Sequence, residues 1–120
     1  MGGRGGRCTR CVLSGDVAES AGHLVWIDCE MTGLDIVKDK LIEVAVLITD
    51  SELNVLDPGL DLIISADDAD LDGMDDVGRE MHAKSGLTDL VRASTLTLAE
   101  AEQQLLADIK RFVPDRRTAP

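Results

Sequence analysis

Tyrosine is missing from this sequence, and tryptophan and phenylalanine occur once each. The hydrophobic fraction of 44% still suffices for a core, so that core must be aliphatic. Basic residues are also scarce: 12 Lys and Arg face 23 Asp and Glu, giving a formal net charge of −11 and a pI near 4.4. Phosphate contacts need Lys and Arg, so this balance argues against wrapping duplex nucleic acid. It leaves room for a short nucleotide held mainly by metal ions, whose charge offsets carboxylates. No apolar run approaches transmembrane length. Cysteine is limited to Cys8, Cys11 and Cys29. An odd count without a secretory hydrophobic segment reads as a reduced, intracellular chain. At 120 residues there is one small domain at most.

Residues 1–22 differ in composition from the rest, being rich in Gly and carrying Arg4, Arg7 and Arg10 with no acid before Asp16. They read as a disordered extension. The Arg content also suits a mitochondrial transit peptide, but the Gly content and the lack of amphipathic period do not. An upstream translation start explains the segment equally well. Cys8 and Cys11 form a lone C-x-x-C pair. A zinc site would need two more ligands, with only Asp16 or His23 nearby, and a redox motif would need a strand before it and a helix behind. The pair reads as incidental.

What is present is concentrated in residues 24–35, Leu-Val-Trp-Ile-Asp-Cys-Glu-Met-Thr-Gly-Leu-Asp. This is an apolar run of strand type carrying two acids, which strands disfavour and which are rarely buried unless paired or metal-bound. Side chains alternate along a strand, so Asp28 and Glu30 point to one face, with Cα atoms about 6.6 Å apart. Two carboxylates so placed can serve a pair of divalent ions of the kind used for in-line attack at phosphorus. On the opposite face, Cys29 reads as a small core residue. Thr32-Gly33 ends the strand, because Gly permits a turn and close backbone approach.

The remaining chain reads as α/β. A charged loop over 35–40 leads to a second strand over 41–50, nearly continuous in Ile, Val, Leu and Ala, as expected of a strand covered on both faces. Glu43 interrupts it. It reads either as a support bonding the turn at 32–35 or as an acid at the strand mouth reaching water. Pro58-Gly59 is a turn signal before a return strand over 60–65, so three strands make an antiparallel meander. The acidic run 67–76 opens like a calcium loop at Asp68, but the twelfth position, where a bidentate Glu belongs, is Arg79. It reads instead as a solvated loop feeding a helix N-terminus, where negative charge is favourable. Short helices are expected over 75–83 and 88–93. Taken alone, His82 between them is a surface or capping residue, and Leu34 a core residue. Thr97-Leu-Ala-Glu100 is a capping box. It opens a long amphipathic helix to about Val113, with Leu98, Ala101, Leu105, Ile109 and Phe112 as its core stripe, ended by Pro114.

The string Asp-x-Glu-x-Thr-Gly-Leu at 28–34 resembles the first motif of the DEDD 3′→5′ exonucleases, in wording closest to the oligoribonuclease branch. Lys40-Leu-Ile-Glu-Val-Ala45, Asp50-Ser-Glu-Leu-Asn-Val-Leu56, Met81-His-Ala-Lys-Ser-Gly-Leu87 and Ala93-Ser-Thr95 extend the similarity over roughly residues 23–120. The resemblance implies a ribonuclease H-like fold and a Mg²⁺- or Mn²⁺-dependent exoribonuclease acting on very short single-stranded RNA. It implies Asp28 and Glu30 as metal-holding catalytic residues, and Leu34 and His82 as base contacts. Val77 stands where several members carry Trp. Members are cytoplasmic homodimers, with no membrane partner. The family also uses a third acid after a Gly-Asn-Ser stretch, a fourth acid and a His base, none of which matches a residue here. Residues 23–120 therefore resemble the amino-terminal part of an exonuclease domain, apparently truncated. Two other readings follow: a non-catalytic fragment or metal-binding or interaction module, and a DNA-directed DEDD exonuclease. The acidic composition and the Met31-Thr-Gly-Leu34 wording disfavour the second.

Overall fold

A computed structural model describes residues 22–115. The C-x-x-C pair, the Arg-bearing segment and the expected disordered extension lie outside the described residues, apart from Gly22. Three strands, β1 (Leu24–Met31), β2 (Leu41–Thr49) and β3 (Leu60–Ile63), form a sheet of order β1-β2-β3. It is the expected antiparallel meander. The helices α1 (Asp68–Asp72), α2 (Asp76–Ser85), α3 (Leu87–Ala93) and α4 (Leu98–Phe112) follow. Among the described residues no helix is long and apolar enough to cross a membrane.

The chain divides into two compact units. One draws on the chain up to Trp26, Val46–Leu60 and the chain from Leu105; the other is Ile27–Ala45 with Asp61–Gln104. In the first unit the Trp26 indole N–H donates to Thr49 Oγ1 at 3.1 Å, and His23 Nδ1 lies 3.0 Å from the Phe112 carbonyl. Gly59 takes φ +98°, the left-handed turn conformation that its Pro-Gly sequence announces. In the second unit Ile42, Leu71, Met74, Leu87 and Val91 form an aliphatic cluster, joined by Ile63 and Ala66. This is the core that a sequence without tyrosine had to build.

The strand patterns follow from alternation. Along β2, Ile42, Val44, Val46 and Ile48 are buried while Leu41, Glu43, Ala45 and Leu47 are half-buried. β1 differs: Trp26 to Cys29 and Met31 are exposed. It is hydrogen-bonded to β2, and among the described residues no strand lines its other edge. The expectation that Cys29 is a core residue is therefore wrong, since the thiol is exposed.

The acidic run also departs from the expected loop. Asp67 caps α1 by accepting the Asp70 N–H at 2.8 Å, and Leu71 is buried beneath it. Acids at an N-cap and in a first turn favour helix, so the charge that reads as solvated loop starts one. Asp75 caps α2 through the Gly78 N–H at 2.7 Å, and Gly86, at φ +83°, ends it and begins α3. The capping box at α4 is formed, with Thr97 N–H donating to Glu100 Oε1 at 2.9 Å and Glu100 N–H to Thr97 Oγ1 at 3.1 Å. Of the expected stripe Ala101 is buried, Leu105, Ile109 and Phe112 are half-buried, and Leu98 is exposed, because it sits in the first turn ahead of the buried stretch.

Candidate functional site

Every candidate site residue belongs to the second unit, so its geometry can be built from one compact body. β1 carries Asp28 and Glu30 at alternate positions, Asp28 exposed and Glu30 half-buried. Both act electrostatically on Glu43 of the neighbouring strand β2. Asp61 of β3 completes the patch. Partial burial, a hydrogen bond with Asp61 and the charges of Asp61, Glu30 and Asp28 push the Glu43 carboxyl up to about 7. Burial and gathered like charges both disfavour ionisation of a carboxyl.

This electrostatic surplus bears on whether a cation fits. Asp28 and Glu30 offer hard carboxylate oxygens, the donor chemistry of Mg²⁺ and Mn²⁺. Among the described residues no group of three or more His, Cys, Asp and Glu is disposed to hold a metal ion. The residues thus fit as a two-carboxylate contribution to a divalent site, not as a complete ligand set. Glu43 feels the charge of that pair and of Asp61.

The turn after β1 is held by polar groups. Thr32 is buried; its N–H donates to the Lys40 carbonyl at 2.9 Å, and its Oγ1 accepts the Lys40 N–H at 2.9 Å. The Thr32 hydroxyl donates to Asp39 Oδ1 at 3.1 Å, and the Asp35 N–H donates to Asp39 Oδ2 at 2.9 Å. Asp35 Oδ1 accepts the Val37 and Lys38 N–H groups at 2.8 and 3.2 Å, which holds its carboxyl below the usual range. Of the two readings of Glu43, the support for the turn does not hold, since the turn takes its bonds from Asp39; Glu43 is half-buried on β2 and bonds Asp61. The role of Asp39 was hidden because an acid in a charged loop reads as solvated. Its signal was position, six residues after Gly33 and two before β2.

Leu34 projects from this turn and is 89% exposed, so it is not the core residue that it suggests in isolation. His82 on α2 is 3% exposed, with Nε2 3.2 Å from the Met31 carbonyl. The surface placement read from an isolated His is therefore corrected: the ring lies inside, against the last residue of β1. Asp28, Glu30 and Met31 thus lie along the end of β1, with His82 bonded to the Met31 carbonyl and Leu34 in the turn that follows. Val77 is exposed on α2.

Comparison with known proteins gives a consistent result. An RNase T family model, described as exonuclease, matches residues 25–119. The chain is 65% identical over 97 residues to an oligoribonuclease of Rhodococcus jostii, covering 81% of this chain and 49% of the relative. It is 61% identical over 97 residues to an oligoribonuclease of Nocardia farcinica, covering 81% and 45% respectively. It is 54% identical over 104 residues to an oligoribonuclease of Leifsonia xyli, covering 87% and 50%. The chain spans about half the length of the curated relatives it matches.

Proposed function

Starting from the fact that this chain belongs to the RNase T exonuclease family, we propose that it is part of a 3′→5′ exoribonuclease that hydrolyses very short single-stranded RNA. The observation that carries the reading is the Asp28–Glu30 pair, set on one side of β1 and crowding Glu43 with negative charge. The name oligoribonuclease, borne by the similar proteins, supports RNA over DNA as the substrate.

In this reading Asp28 and Glu30 hold Mg²⁺ or Mn²⁺ through their carboxylates. Such ions, when bound, lower the pKa of a bound water and offset charge at phosphorus. The chain's own residues bind and orient. Leu34, exposed at the turn, lies against a base. His82 forms the wall behind it, and through the Met31 carbonyl fixes the end of the strand that carries both acids. Such positioning matters because misplacement by about 1 Å can cost a hundredfold in rate. The working protein is a cytoplasmic homodimer.

Hydrolysis of an RNA dinucleotide in Mg²⁺ or Mn²⁺ tests this. Asp28→Asn should lower the rate by about 10²–10³, the order of effect of losing one electrostatic stabiliser. Equal rates for the two proteins would end the assignment.

A further inference from the structure

The turn between β1 and β2 is built inside out. Leu34, Ile36 and Val37 are all exposed, by 89%, 98% and 87%. Its interior is polar: Thr32, Asp35 and Asp39 exchange the hydrogen bonds described above. Apolar burial ordinarily holds a loop in shape, but here the apolar side chains face outward and hydrogen bonds carry the conformation. Asp39 is central among them. One carboxylate oxygen accepts from the Thr32 hydroxyl at the strand end, and the other from the Asp35 backbone beyond Leu34. The Asp39 N–H returns a bond to the Asp35 carbonyl at 2.9 Å. The carboxylate thereby spans Gly33 and Leu34.

Gly33 gives an independent sign of this clamp. A Cβ built there would run into the Asp39 carboxylate, with its carbon only 2.7 Å away. Asp39 is a short side chain tied at both oxygens, so it could yield only by breaking those bonds. Glycine at 33 is therefore required by the clamp and not by a positive φ, since the left-handed glycines are Gly59 and Gly86.

We propose that Asp39 is a positioning residue: by clamping Thr32 to Asp35 across Gly33 it holds the 33–38 turn in the shape that presents Leu34 to a nucleotide base. The inference rests on the reading of Leu34 as a base contact, and it adds the residue that makes that contact precise. Asp39 touches neither metal nor substrate. Its contribution is to nucleotide affinity, not to cation affinity.

The test uses the full chain and four variants: Asp39→Ala, Gly33→Ala, the double variant, and Leu34→Ala. Binding of an RNA dinucleotide is measured calorimetrically in Ca²⁺, Mn²⁺ affinity separately by electron paramagnetic resonance, and amide exchange of Asp35, Val37 and Lys38 by NMR. Asp39→Ala should weaken dinucleotide binding by about tenfold, the scale of one lost hydrogen bond to a charged group. It should leave Mn²⁺ affinity unchanged and speed amide exchange in the turn alone. Gly33→Ala should behave similarly, and the double variant should be no worse than Asp39→Ala, because the clash disappears with the carboxylate. Unchanged amide exchange in Asp39→Ala would overturn the proposal whatever the nucleotide does. So would a parallel loss of Mn²⁺ affinity, which marks general structural damage. If exchange accelerates but neither Leu34→Ala nor Asp39→Ala alters dinucleotide binding, the clamp stands as structure and the base-contact reading fails, taking the positioning role with it.

Discussion

The imidazole Nε2 of His82 lies 3.2 Å from the carbonyl oxygen of Met31, joining the buried side of α2 to the last residue of β1. A carbonyl only accepts, so Nε2 carries the proton. His82 is buried, so truncating it removes both this bond and the packing of the ring. His82→Ala should therefore destabilise the protein by about 1–3 kcal/mol, read as a lower midpoint in urea, and should also weaken dinucleotide binding by loosening the end of β1. A variant as stable as the parent would show that the bond holds nothing in place.

Glu43 makes stability depend on pH in the metal-free protein. Partial burial, the hydrogen bond with Asp61 and the charges of Asp61, Glu30 and Asp28 push its folded carboxyl up to about 7 from the ordinary 4.5. A raised acid binds its proton more tightly when folded, so the unfolded chain loses protons first as pH rises. Stability from this group is fully present below the ordinary value and is lost as pH climbs from 4.5 towards 7. Urea midpoints in EDTA should fall across that window, and Glu43→Gln should flatten the fall. A slope untouched by the substitution would assign the titration elsewhere.

A second acid pair behaves alike in the other compact unit. Asp57 is 4% exposed, and Oδ2 of both Asp57 and Asp108 is buried with no hydrogen-bond partner among the described residues. The Asp57 contact, with burial, raises the Asp108 carboxyl, against which Arg111 pulls from 3.1 Å. A proton on Asp108 supplies the donor that the facing Asp57 carboxylate lacks. Asp108→Asn supplies an N–H in its place and retains an acceptor for Arg111, so it should raise the thermal midpoint at pH 7 and leave it little changed at pH 4. A lower midpoint at pH 7 would contradict this reading.

Much of this architecture was legible because the local signals agreed. The β2 run, the Pro-Gly turn and the Thr97–Glu100 box each became the element that their chemistry indicates. Other features were not legible, each for a physical reason. Cys29 looked buried because alternation gives a face but not whether anything covers it. The run 67–76 looked like loop because charge density masked its N-cap. Asp39 was missed because a clamp depends on where two backbone segments meet. The acid pair was conspicuous for the opposite reason, since carboxylates in an apolar strand conflict with local propensity, and such conflicts gather at functional sites.

The central claim is that Asp28 and Glu30 together grip a divalent cation. Titrating the protein with Mn²⁺ and following the free-ion resonance tests it directly. Binding should be saturable, and Asp28→Asn and Glu30→Gln should each weaken it by at least tenfold, a change of about 1.4 kcal/mol. Binding absent from the parent, or equal in parent and both variants, would contradict it.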